Sequence, residues 1–185
     1  MNETYLALDA LLTRYINLFS DTPHSSPYVE FESEWLSECV LAKGNKPGAY
    51  FWKPEKRQQQ LSFSELEKAL EISFPKDLID FYGSFWSNGI CVERDDINFS
   101  LIQIWNDEDE QHLKENILGH VFAKIKAKLP LTFFIGSTFG DEVICLDQET
   151  GNVVLEKPGY AASRVLSPDL PGFLISLQPL KDSYS

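Results

Sequence analysis

The chain has 185 residues, 43% of them hydrophobic, and a formal net charge of −12 at pH 7, which suits one domain over residues 1–185 with a sizeable core. It has no run of 18 apolar residues, and Glu3, Asp9 and Arg14 interrupt the first segment, so neither a signal peptide nor a membrane span is expected. The acidic excess repels phosphate backbones and anionic headgroups, which disfavours nucleic acid or a direct lipid anchor and favours a cationic protein partner.

Apolar residues at spacings of three and four predict a first amphipathic helix that packs on a sheet. The prolines and polar residues of 21–27 predict a surface loop, and 30–35 reads as irregular. Two short strands over 39–42 and 49–52, separated by a loop with two glycines, predict a hairpin. The regularly spaced apolar residues that predict the first helix are Tyr5, Leu8, Leu12, Tyr15 and Phe19.

Two helices are predicted next. Ser62 and Glu65 follow the capping-box pattern, in which each side chain satisfies a backbone N–H of the first turn, so a helix is expected to start at Ser62. It should stop before Phe74, because the residue before a proline avoids helical geometry. Pro75 is then well placed at the first position of a second helix, which runs through Tyr82.

The middle of the chain predicts a strand, a capped helix and another strand. Residues 97–105 alternate and then read as a buried strand. Asn106 is a suitable N-cap for a helix over about 107–127, and acidic residues suit the positive end of that helix. Lys124, Lys126 and Lys128 suit its negative end, and Pro130 prevents continuation.

The last third predicts a strand over 131–135 and a second hairpin from 143–146 and 153–155. Ser167 and Pro168 read as the cap and first position of a last helix, which ends near Leu177. A central, mostly antiparallel sheet flanked by helices, in one α+β domain, is the economical interpretation.

Residue patterns that support catalysis are missing from the sequence. The three cysteines are far apart and predict reduced, buried thiols, and His112 and His120 point in different directions on their helix. No phosphate-binding motif or metal-ligand spacing occurs, so no enzyme activity, cofactor or metal is expected. Trp86 and Trp105 are predicted to pack in the core, and packing explains Trp35 least.

Acidic residues on both sides of the 97–105 strand are the predicted partner contacts. They could converge if neighbouring strands fold back, or form two patches at opposite ends of the strand. For Asp107 to Asp109, helix capping is an equal alternative, and acidity could also serve solubility alone. The predicted contacts are Glu93, Asp95, Asp96, Asp107, Glu108, Asp109 and Glu110.

Several segments resemble the Syd family, the SecY-interacting proteins of Gram-negative bacteria, and the resemblance covers nearly the whole chain. A helix-proline-helix pattern over 66–82, followed by Asn88-Gly89, also resembles the wider SUKH superfamily, which contains Syd. The segments that resemble Syd are Tyr50-Phe-Trp-Lys-Pro54, Leu101-Ile-Gln-Ile-Trp105, Asn106-Asp-Glu-Asp109, Glu115-Asn-Ile-Leu-Gly-His120, Lys128-Leu-Pro-Leu-Thr-Phe-Phe-Ile135 and the segment from Leu170 to Leu180.

The Syd resemblance implies a cytosolic, non-enzymatic protein that docks on the cytoplasmic face of the inner membrane by binding SecY. Family members are thought to recognise free or wrongly assembled SecY and to check or restrain the protein translocase. The cytosolic loops of SecY are basic, as loops on that side of a membrane tend to be, so an anionic surface would meet a cationic one. Strong like charge also favours a monomer.

Two rival functions remain open at this stage. SUKH proteins include immunity proteins that neutralise bacterial toxins, and an acidic member can cover the basic site of a nuclease. A hydrolase with paired carboxylates would instead need two carboxyl groups within about 5 to 10 Å of each other in a deep cleft.

Overall fold

A computed structural model describes residues 2–30 and 34–181. The five α-helices of this part of the chain are α1 (Glu3–Asn17), α2 (Ser64–Leu70), α3 (Lys76–Gly83), α4 (Asp107–Ala127) and α5 (Leu170–Ser176). Its strands are β1 (Tyr28–Glu30), β2 (Val40–Lys43), β3 (Ala49–Trp52), β4 (Glu55–Lys56), β5 (Phe85–Trp86), β6 (Ile90–Arg94), β7 (Ile97–Leu101), β8 (Thr132–Thr138), β9 (Val143–Asp147), β10 (Val153–Glu156), β11 (Ala162–Ser167) and β12 (Gln178–Pro179). These elements confirm the predicted α+β fold.

A seven-stranded antiparallel sheet forms the centre, in the order β11-β10-β9-β8-β7-β6-β12. The sheet curls strongly, since Arg164 of the edge strand β11 reaches Asp96 in the turn between β6 and β7. Gly136 lies at a bulge between β8 and β9, where a Cβ atom would come 2.9 Å from the Ser100 carbonyl oxygen. The strands β7 and β8 can approach this closely because position 136 has no side chain.

Two smaller sheets complete the strands. The predicted hairpin is confirmed as β2 and β3, with β1 on the other side of β3, and the second predicted hairpin is confirmed as β9 and β10. β4 pairs with β5 and places Glu55 opposite Trp86. The predicted irregular segment 30–35 begins at the last residue of β1, and its residues 31–33 lie outside the described residues.

The helices cover the sheet and each other. α1 buries Leu8, Leu11 and Leu12. It packs against α5 and α3 and meets the central sheet at its edge strand β12, so the predicted packing on a sheet is confirmed only at that edge. α4 lies against β8 and buries Leu113, Ile117 and Val121. No helix in the described ranges has the length and apolar character needed to cross a membrane.

Several predicted element boundaries differ from the structure. Pro75 is the N-cap of α3 and not its first residue, and β8 runs to Thr138 and not to 135. Tertiary contacts account for the differences at α2 and β7. α2 begins at Ser64, not Ser62, since Phe63 is buried against Phe74. β7 ends at Leu101, not 105, because the Ile104 carbonyl turns to accept from the Ser87 N–H. The last helix is capped by Asp169, and Ser167 stays in β11.

The predicted N-cap of α4 is confirmed, and the prediction of reduced, buried cysteines is confirmed except for the burial of Cys91. The Asn106 side chain accepts from the Asp109 N–H at 3.0 Å, as an N-cap should. All three cysteines are free thiols; Cys39 and Cys145 are buried and Cys91 is half-buried.

Candidate partner-binding groove

A groove of about 910 Å³ lies between the N-terminal end of α4 and the paired strands β4 and β5. This volume falls within the range of about 300 to 1,000 Å³ that is typical of ligand sites. The lining comes on one side from residues 36–38, 40, 105–107 and 110, and on the other side from residues 55–61 and Trp86. The groove therefore includes the junction of strand and helix that the sequence marks as a dense anionic patch.

Trp105 and Asn106 hold the 36–40 segment against α4. The indole Nε1 of Trp105 donates to the Trp35 carbonyl at 2.7 Å, and the Asn106 amide donates to the Leu36 carbonyl at 3.2 Å. The Ser37 hydroxyl donates to the Trp105 carbonyl. These contacts give Trp35 a structural role. Its backbone carbonyl accepts the indole hydrogen bond, and its ring stacks on His112 with centroids 6.0 Å apart.

The first turn of α4 divides its four carboxylates between different roles. Asp109 accepts from the Trp105 N–H at 3.1 Å and so completes a reciprocal cap with Asn106. Asp107 and Glu110 line the groove. Glu108 is exposed and lies outside the groove lining.

The lining of the groove is acidic overall. It contains the carboxylates of Glu38, Glu55, Asp107 and Glu110 and the cations of Lys56 and Arg57, which gives a net formal charge of −2. Neither Glu38 nor Glu55 is among the contacts predicted from the sequence. Each adjoins a predicted strand or its following turn, but local sequence cannot show that both face Asp107.

Glu110 is the one groove carboxylate with a resolved pKa shift. Burial alone would raise its pKa, but hydrogen bonds from Lys114 and Arg57 outweigh burial and hold the pKa below its ordinary value. Lys114 Nζ lies 2.7 Å from Glu110 Oε1, and the Arg57 guanidinium binds the other oxygen atom. Glu110 is therefore a paired anion, whereas a general acid at neutral pH needs a raised pKa.

The other predicted acidic contacts lie away from the groove. Glu93 is exposed on β6 opposite Gln178 of β12. Asp96 binds Arg164 at 3.0 Å, and Asp95 lies 3.5 Å from the Arg94 guanidinium. The structure thus brings Asp107 and Glu110 together with Glu38 and Glu55, and separates them from the β6–β7 acids.

A second polar cluster is buried between α4 and the sheet. The donor atoms of His120, Cys145 and Glu156 all lie within 4.8 Å of one another, a combination that can bind a transition metal. However, the Lys124 ammonium lies 2.7 Å from Glu156, and burial raises the pKa of Cys145 well above its ordinary value, which disfavours the thiolate that a metal needs. The donor set thus suits an internal ion pair better than a metal.

His120 makes the stability of this cluster depend on pH. Burial is the largest influence on the pKa of His120 and lowers it below its ordinary 6.5. The attraction of Glu156 is the next largest and acts in the opposite direction. The unfolded chain therefore takes up a proton first as the pH falls, so the free energy of unfolding should decrease from pH 6.5 towards about 5. Urea unfolding at several pH values should show this slope, and His120→Gln should reduce it. An unchanged slope in the variant would contradict the assignment.

Comparison with known proteins gives a consistent family match. The profile of the family described as Syd protein (SUKH-2) matches residues 5–179. A Protein Syd of Hahella chejuensis is 34% identical over 184 residues, which cover 95% of this chain and 96% of that protein. A Protein Syd of Pseudoalteromonas atlantica is 34% identical over 82% of this chain and 83% of its own length. A Protein Syd of Cronobacter sakazakii is 33% identical over 97% and 98%.

Proposed function

The chain belongs to the Syd family, and from this premise we propose that it is a non-enzymatic protein that binds SecY through its acidic groove. It docks at the cytoplasmic face of the inner membrane as a monomer, recognises SecY that is uncomplexed or misassembled, and thereby checks or restrains the translocase. The observation that carries this proposal is the groove itself, because it gathers carboxylates beside apolar side chains where the Syd-like motif lies.

Three groove carboxylates are available to a cationic partner. Glu38, Glu55 and Asp107 are exposed, and none of them forms an ion pair within the described ranges. Glu110 differs, since Arg57 and Lys114 already neutralise it. The Debye length at physiological salt is about 8 Å, so carboxylates that share a groove reinforce one another where scattered ones would not.

Charge steers the encounter, and the groove surface must supply selectivity. The apolar part of the lining comes from Leu36, Val40, Leu61, Trp86 and Trp105. A segment that carries both lysine or arginine and apolar side chains could use both surfaces at once. A basic loop without matching apolar groups should bind more weakly.

The seven acidic residues predicted from the sequence have different roles in the proposed interface. Asp107 is the direct contact, Glu108 contributes to the field beside the groove, and Asp109 and Glu110 shape the wall. Glu93, Asp95 and Asp96 stay a prediction as a second contact region, and the pairing of the two aspartates with Arg94 and Arg164 weakens their attraction for a partner.

The test is recovery of SecY from detergent-solubilised inner membranes by the tagged protein over a series of salt concentrations. We expect recovery to fall as salt rises. The variant Glu38→Lys, Glu55→Lys, Asp107→Lys should weaken binding at least about tenfold, since it reverses three unpaired charges and spares the Asp109 cap.

The matched control is Asp21→Lys, Glu65→Lys, Glu149→Lys, which changes net charge equally at exposed positions outside the groove. It should keep most of the affinity. If both triple variants bind SecY as well as the unchanged protein does, the groove assignment is wrong. Recovery of a basic nuclease in place of SecY would support an immunity function.

A further inference from the structure

Arg57 occupies an unusual position in the groove. Its side chain is only 5% exposed, and its guanidinium group lies 3.5 Å from the centre of the Trp86 ring. Nη2 binds Glu110. The two other nitrogen atoms, Nε and Nη1, are buried and have no hydrogen-bond acceptor among the described residues.

Such donors call for an explanation, because native proteins seldom bury an N–H without an acceptor. The Trp86 ring and Glu110 together fix the plane of the guanidinium, so its free N–H groups keep set directions. Arg57 is also part of the groove lining. An immobilised cation with two unused donors therefore lies in a groove that is otherwise acidic.

We infer that Arg57 receives a main-chain carbonyl oxygen of the peptide segment that occupies the groove, an inference that rests on the proposed function. A carbonyl suits this place better than a carboxylate does. Glu110 already neutralises Arg57, and Glu38, Glu55 and Asp107 would repel a further anion. A neutral acceptor meets no such repulsion.

The bound segment would then be recognised through two kinds of contact. Its lysine or arginine side chains reach the groove carboxylates, while its backbone is held at Arg57. Nε and Nη1 are closed to solvent in the free protein, so neighbouring side chains must shift as the segment enters. Gln58 and Gln59 are exposed parts of the lining and can move at little cost.

The test compares a cationic peptide with a cation that has no carbonyl group. The probes are the capped peptide acetyl-Lys-Ala-Lys-Ala-Lys-amide and the polyamine spermine, each titrated calorimetrically at low salt. Arg57→Lys keeps a positive charge for Glu110 but removes the planar donors. It should weaken peptide binding about tenfold and leave spermine binding within about twofold.

The outcomes separate the inference from the proposed function. Changing Glu38, Glu55 and Asp107 to their amides should weaken both probes, because that variant removes the charges. Equal loss of both probes in Arg57→Lys, or no loss of either, overturns the carbonyl role while the acidic groove stands. If the unchanged protein binds neither probe, the groove and the inference fail together.

A second measurement does not depend on how well Arg57→Lys folds. In the unchanged protein the peptide should alter tryptophan fluorescence more than spermine does, because a ligand at Arg57 changes the surroundings of Trp86. Trp86→Phe should remove most of that difference. The same fluorescence change with both probes would contradict the inference.

Discussion

Replacing Lys124 with methionine is expected to lower the free energy of unfolding by about 3 to 5 kcal/mol, the usual result of removing one partner from a buried ion pair. The Lys124 side chain is 2% exposed and that of Glu156 is fully buried, and their charged atoms lie 2.7 Å apart. Without the ammonium group, Glu156 would keep uncharged donors, the Thr132 hydroxyl at 3.1 Å and the Cys145 thiol, but no cation within 3 Å among the described residues. Urea unfolding at pH 7.5 would measure the loss.

Two controls identify the charge as the cause. Lys126→Met removes an exposed lysine two residues along the same helix, and it should change stability by less than about 0.5 kcal/mol. The double variant Lys124→Met, Glu156→Leu removes both charges and should be more stable than Lys124→Met alone. A double variant that is no more stable would show that lost packing, not an uncompensated carboxylate, causes the defect.

Lys124 also illustrates what the sequence can and cannot predict. Its position near the end of α4 correctly indicates a cation at the negative pole of a helix, and Lys126 and Lys128 are indeed exposed there. Its spacing from Leu113, Ile117 and Val121 places Lys124 on the buried face of α4. Nothing local identifies its partner Glu156, which is 32 residues away on β10. Helical periodicity indicates which face of α4 is buried, whereas the partner of a buried charge depends on how the sheet packs against that face.

Tertiary packing also separates the two predicted N-caps, Asn106 and Ser62. Asn106 accepts from the Asp109 N–H, and Asp109 accepts in turn from the N–H of Trp105, which is fixed in the core. At Ser62, the pattern is equally good, but Phe63 packs into the core, and the helix starts after it. Both residues satisfy the sequence rule for the start of a helix, and tertiary packing determines which of them acts as the N-cap.

The groove was predictable only in part. Asp107 and its neighbours follow from the anionic start of α4, which is a contiguous signal. Glu38, Glu55 and Trp86 join them through contacts that span tens of residues, such as the pairing of Glu55 with Trp86 and the hydrogen bonds between 35–37 and 105–106. Composition indicated an acidic surface, but the fold determines which acids share it.

Replacing Trp105 with alanine is expected to cost about 3 to 5 kcal/mol of stability, the usual range for truncating a buried tryptophan. Its side chain is 1% exposed and meets the Trp52 ring edge to face with centroids 5.8 Å apart. The expected loss is large because one residue fills the core and also joins α4 to the wall of the groove.

Trp105→Phe separates these two roles. Phenylalanine fills most of the core volume, but it cannot donate to the Trp35 carbonyl as the indole Nε1 does at 2.7 Å. We therefore expect a smaller loss of stability, about 1 to 3 kcal/mol, together with weaker binding of the lysine peptide, because the 36–40 wall loses one of its ties to α4. Urea unfolding and peptide titration of both variants would measure the two effects. If Trp105→Phe lost stability but bound the peptide unchanged, the remaining hydrogen bonds from Ser37 and Asn106 would suffice to hold the wall, and the indole would serve the core alone.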